Sequence, residues 1–143
     1  MRFCLLVVSW LGVVSVAQAI DLKPIEQVLN EEQSLATTSY ALKRCSAAYL
    51  ALSGLLMSDQ STMALSASAD EMSMFFFGLA EQHAKRFEVP FEAQGTMDLI
   101  GTIVGMYGDE MMANFAATGN RMEGVIAADI TFCKGIYDEA QQG

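Results

Sequence analysis

Apolar positions recur along most of this chain at three- and four-residue intervals, the mark of helices that each bury one face. Thr38, Leu42, Cys45, Tyr49, Leu52 and Leu56 form one such stripe and predict a helix opened by Ser34, with Cys45 on its buried side. A shorter helix precedes it, starting at Pro24, whose fixed φ suits a first helical turn, and ending near Glu32. The two segments can equally form one helix bent near Glu32. Ser58 and Asp59 interrupt the pattern and cap a third helix over residues 60–88, in which Met63, Ala67, Met74, Phe76 or Phe77, and Ala80 are available for burial. Val89-Pro90 ends it, because the residue before a proline is driven out of the helical region.

A fourth helix is expected over residues 91–117, with a break at Gly95 and Thr96 as the cap of the restart. Gly101, Gly105 and Gly108 each weaken it by about 0.5–1 kcal/mol relative to alanine. Gly101 and Gly105 lie one turn apart, so they offer either a small patch for close approach of another helix or a kink. In Thr118-Gly119-Asn120, Gly119 suits a left-handed stop, while Asn120 and Glu123 have capping-box spacing for a last helix running to Ala140. Ile126, Ile130, Cys133 and Tyr137 share a face of that helix.

The fold class that follows is all-α: an up-down bundle of four long helices plus a short N-terminal helix. Two prolines in the whole chain and no alternating run rich in Val and Thr agree with it. Before the bundle, Arg2, the apolar run from Phe3 to Val16 and the small-x-small site Ala17-Gln18-Ala19 have the layout of a signal peptide. Residues 1–19 are therefore expected to be removed and residues 20–143 to form one helical domain, periplasmic or secreted. An uncleaved anchor needs about 20 apolar residues, more than this run supplies, so no stable membrane anchoring is expected after cleavage. Cys45 and Cys133 are then the two cysteines of the mature chain, and an even count in an oxidising compartment favours a disulfide. A bond between them closes a loop of about 90 residues, for which the chain-entropy model gives about 4–5 kcal/mol.

Charge narrows the partners. Seven basic residues against seventeen acidic ones leave the segment after residue 19 with a net charge of −10, which disfavours nucleic acid and anionic lipid surfaces. A protein partner or an apolar small molecule remains open. Catalytic machinery is not evident: His83 is the single histidine, set among Glu81, Gln82, Lys85 and Arg86 on what reads as a solvated face, and no nucleophile elbow or zinc-binding helix motif occurs. No enzyme activity, cofactor or metal is assigned.

Three features invite more specific readings. Asp129 lies one turn before Cys133, and in an antiparallel pairing of the two cysteine helices it falls level with Ala48 and Tyr49, so a buried Tyr49–Asp129 hydrogen bond is one expectation and exposure at the stripe's edge the other. Phe75, Phe76 and Phe77 span about 200° of helix, more than one contact face covers, so at least one ring is expected to meet a second surface: another helix, a partner, or an apolar ligand. The methionines, including Met72, Met74, Met111 and Met112, suit a soft-metal (copper) carrier, but residues two apart on a helix diverge, and adaptable core filling is the stronger reading. The expectation is an exported helical binding or interaction protein; the alternative is a periplasmic carrier of copper or an apolar ligand in a methionine-rich interior.

Overall fold

A computed structural model of the chain describes residues 22–142; the expected leader and its cleavage point near Ala19 lie outside them. Five α-helices and one 3₁₀ turn account for most of the described chain, and each start has a visible local cause. Helix α1 (Ile25–Glu31) follows Pro24, and Glu32 is extended, with φ −144°, so α1 and α2 are separate helices. Ser34 caps α2 (Leu35–Leu56) by accepting the Thr37 N–H at 3.0 Å. Asp59 accepts the Ser61 N–H at 2.8 Å and opens a 3₁₀ turn (Gln60–Thr62) that leads into α3 (Met63–Phe87). Glu88 stops α3 in the left-handed region at φ 54°, just before Val89-Pro90.

The fourth helix departs from expectation at its start. α4 (Ala93–Thr118) is continuous, capped by the Glu92 carboxylate, which accepts the N–H groups of Gln94 and Gly95; Thr96 lies buried inside the first turns and caps nothing. Gly101, Gly105 and Gly108 neither break α4 nor admit a close neighbour, since a Cβ at any of them meets no atom within 4 Å. Gly119 ends α4 at φ 79°, as its sequence context predicts. α5 (Gly124–Gln142) starts later than Asn120: Gly124 has φ 62°, so helix cannot run into it from the preceding residues. Asn120 instead accepts the Met122 N–H in a local turn, and the α5 cap is Glu110 of α4, whose Oε1 accepts the Val125 N–H at 2.7 Å.

α2 is the axial helix. Every residue from Arg44 to Tyr49 is buried, and the core divides into two clusters on either side of it. On one side Ala47, Ala48 and Ala51 meet Ile100, Ile103, Tyr107, Met111 and Ile126; on the other Ala41, Cys45 and Tyr49 meet Ile25, Ala69, Phe76 and Cys133. The single predicted stripe is thus too narrow: Cys45 and Tyr49 are buried, Leu42, Leu52 and Leu56 are half-buried, and Thr38 is exposed.

α3 packs antiparallel on α2 through small residues. Ser46 pairs with Ser73 at 3.1 Å and Ser53 with Ser66 at 2.9 Å, two rungs seven residues apart on both helices. The same register sets Ser39 opposite Ala80. The residues α3 buries are Ser66, Ala69, Ser73, Phe76, Ala80 and Ala84, so Met63, Ala67 and Met74 are exposed, contrary to expectation. Small side chains take the seam because they let the backbones approach, and Met63 and Met74 are turned outward.

Cys45 and Cys133 are bonded, with Cα atoms 5.5 Å apart and both residues fully buried, which staples α5 to the axial helix. The all-α bundle of four long helices and a short N-terminal one is therefore observed with its disulfide. At the staple, however, the contacts ascend along both helices: Arg44 meets Asp129, Cys45 meets Cys133, and Tyr49 lies within reach of the Asp138 charge. α5 crosses α2 with that polarity, so Asp129 is carried toward Arg44 and away from Tyr49.

Candidate functional site: an apolar groove beside a closed polar knot

The expected Tyr49–Asp129 pair does not form. Asp129 is fully buried and both its oxygens are engaged elsewhere: Oδ1 accepts the Ile25 N–H at 2.7 Å, and Oδ2 accepts from Arg44 Nη2 and from the Tyr107 hydroxyl. Arg44 also donates Nη1 to the Lys23 carbonyl at 2.7 Å and Nε to the Tyr107 oxygen at 3.2 Å. Burial, and then the Asp129 charge, push the Tyr107 phenol well above its ordinary range, so it stays protonated and donates. Tyr49 lies in the other cluster, its ring stacked on Phe76 at 5.9 Å, with its phenol pushed up to about 12 by burial and the nearby Asp138. The knot joins the first turn of α1 to α2, α4 and α5, and its hydrogen bonds close on one another. Such an arrangement holds helices in place; a buried ion pair with its remaining hydrogen bonds made is tolerated, whereas a broken one is not.

A second site is open. Between α2, α3 and α4 runs a groove of about 320 Å³ whose lining is overwhelmingly apolar. Its floor is the buried trio Ser46, Ser73 and Ile100, and the two serines satisfy each other, so the floor offers little unmet polarity. Phe77 is half-buried on one wall. Leu50, Met74 and Met97 stand on the rim, Met74 and Met97 with 68% and 57% of their surface exposed. Gly101 leaves a gap in the α4 wall, and Asp70 is the single charged residue of the lining.

The three phenylalanines separate as helical geometry requires. Phe76 is fully buried, Phe75 packs edge-on against Tyr137 at 5.0 Å, and Phe77 turns to the other side, edge-on to Phe91 at 5.8 Å, where it lines the groove. Phe77 is thus the ring that meets a second surface. The methionine pairs diverge likewise: Met72 packs into the core while Met74 is exposed, and Met111 is buried while Met112 is exposed. His83 lies half-buried against Phe87, ring centres 4.9 Å apart, instead of on a fully solvated face. Among the described residues no group of three or more His, Cys, Asp or Glu is placed to hold a metal ion, and no helix is long and apolar enough to cross a membrane.

Comparison with family models, with curated proteins and with solved structures finds no match for this chain.

Sequence reasoning identified Asp129, the cysteine pair and the phenylalanine run but missed Arg44, Tyr107 and the groove. Arg44 carried a signal: it is a cation immediately beside a cysteine assigned to the core. The groove carried none, because it is made by Leu50, Met74 and Met97, which periodicity counts as ordinary apolar residues on three separate helices.

Proposed function

We propose that this chain is an exported helical binding protein, acting in the periplasm or outside the cell through the α2–α3–α4 groove and not by catalysis. The observation that carries the reading is the groove itself: soluble proteins rarely leave a concave apolar surface rimmed by exposed large side chains unless something binds there. The buried disulfide supports an oxidising compartment, and the leader pattern in the sequence supports export. N-terminal sequencing of exported protein should begin near Ile20.

The binding reading is tested with the apolar dye N-phenyl-1-naphthylamine. Wild-type protein should bind it with enhanced fluorescence, and Gly101→Leu should abolish that signal by filling the groove from the α4 wall, where an added Cβ meets no atom within 4 Å. Gly135→Leu, equally unobstructed on α5, is the control and should bind as wild type. Dye binding that survives Gly101→Leu would remove the groove from the account.

One observation favours a soft-metal carrier as a second reading: Met74 and Met97 bring thioethers from two helices to the same groove. Cu(I) titration under conditions that keep the disulfide intact should then show binding that Met97→Leu removes; no binding tighter than micromolar retires it.

A further inference from the structure

We propose that the groove receives the apolar face of a basic amphipathic helix from a partner protein. This rests on the binding reading above and specifies the occupant.

The shape of the site excludes deep enclosure. Leu50, Asp70, Met74, Met97 and Gly101, more than half of the lining, are exposed, so the groove is a trough open along its rim. Small-molecule sites usually bury most of the ligand's surface, which a trough cannot do, whereas a helix laid in a groove needs only its stripe of i, i+3, i+4 and i+7 anchors covered. The walls fit such a stripe. Phe77 and Ile100 are fixed by the core behind them, and Met74 and Met97 are unbranched, polarisable side chains that reshape themselves around differing apolar anchors.

Charge selects the helix. Asp70 lines the groove, and Glu71 and Asp98 are exposed next in sequence to Asp70 and Met97. α4 carries no Lys or Arg along its whole length, and α3 carries none before Lys85. Lys43 is held over the Phe91 ring at 5.8 Å, and Phe91 packs on Phe77 at one end of the groove. With a net charge of −10 on the segment after residue 19, the field at the rim attracts Lys and Arg flanking an apolar stripe and repels an acidic helix or a second copy of this chain.

The test uses the disulfide-bonded protein and two synthetic 18-residue amphipathic helices with the same leucine stripe, one with lysine and one with glutamate on its polar face, measured by isothermal titration at about 0.15 M salt, where only charges within about 8 Å act strongly. The lysine peptide should bind at least about tenfold more tightly than the glutamate peptide. Asp70→Lys, an exposed change, should weaken the lysine peptide by about three- to tenfold, and Gly101→Leu should abolish its binding while Gly135→Leu leaves it intact. Lysine-peptide binding that ignores Gly101→Leu is diffuse attraction to an acidic surface and overturns the proposal. So does equal binding of the two peptides, no peptide binding, or self-association that occludes the groove in sedimentation. If the dye still reports the groove in those cases, the binding reading stands and this occupant is wrong; if the dye also fails, both fall.

Discussion

The seam between α2 and α3 makes a prediction that reverses sign with context. Two of its rungs are serine pairs, but the third places Ser39 opposite Ala80, and the Ser39 hydroxyl, on a residue only 3% exposed, has no hydrogen-bond partner. A buried hydroxyl left unsatisfied costs about 1–3 kcal/mol, and serine is a slightly poorer helix former than alanine by about 0.5 kcal/mol. Ser39→Ala should therefore stabilise the protein by about 1–2 kcal/mol, a rise of about 4–8 °C in Tm for a domain of this size. Ala80→Ser should supply the missing partner, as the Ser46–Ser73 rung shows this seam can hold two hydroxyls, and its net effect should lie between neutral and about 1 kcal/mol stabilising. The double variant Ser39→Ala/Ala80→Ser returns a single orphaned hydroxyl to the seam from the other helix and should fall back to near wild type. Urea unfolding of the oxidised proteins, followed by circular dichroism at 222 nm, gives the four corners of the cycle. The expected coupling is about 1–3 kcal/mol in magnitude. Simple additivity, or a destabilising Ser39→Ala, would refute the register and the orphan together.

Four further outcomes follow from the knot, the staple and one strained residue. Asp129→Asn leaves Arg44 buried without its counter-charge and should cost about 3–5 kcal/mol, while replacing the pair by Arg44→Met/Asp129→Leu should recover most of it, as read by denaturant midpoints. Tyr49 and Tyr107 have folded-state values above the ordinary 10, so the unfolded chain gives up these protons first; stability is complete below pH 10 and falls as pH rises through 10 toward 12. Part of the phenolate absorbance at 295 nm should accordingly appear only as the helical signal is lost, and Tyr107→Phe should remove one of those two late phenols. Reduction of Cys45–Cys133, or Cys45→Ala/Cys133→Ala, should cost about 4–5 kcal/mol for a crosslink of this span; an unchanged unfolding midpoint would contradict the staple's role. Glu88→Gly should stabilise by about 0.5–1 kcal/mol because glycine accepts the left-handed stop of α3 at φ 54°, and Glu88→Ala, which keeps the misfit, should show no such gain in the same unfolding assay.

What the sequence disclosed and what it hid divide along a physical line. Starts and stops written in adjacent residues were legible: Ser34, Asp59, Val89-Pro90 and Gly119 act through backbone groups a few positions away. The α5 cap was not, because Glu110 reaches Val125 across a turn from a different helix. Burial on α2 and α3 was misassigned for a related reason. Hydrophobic periodicity gives the core face to the largest apolar residues, but these helices bury alanine and serine at their seam and leave Met63 and Met74 exposed. Serine in mid-helix looks like weakness until its opposite number is known. Asp129 stood out as an acid on a core face, yet its partners depended on how α5 crosses α2, a quantity neither helix encodes alone.

The same small residues that make the seam also make the groove. With Ser46 and Ser73 at its base, the α2–α3 pair closes to hydrogen-bond distance and leaves the space beyond it to be filled from α4. α4 does not fill it. Gly101 stands where an alanine Cβ would meet no atom within 4 Å, in a helix position where glycine costs about 0.5–1 kcal/mol relative to alanine and no backbone angle or close neighbour requires it. Leu50, Met74 and Met97 meanwhile spend apolar surface on solvent at the same place. Each choice opposes folding stability, and they meet at one trough, whereas the knot, whose Arg44 stands two residues before Ser46 on the same α2, leaves scarcely a polar atom unmatched. Other large apolar side chains, Met57 and Met112 among them, are also exposed, but at the trough they stand around a concave apolar floor, and it is that combination on which the proposed binding role rests.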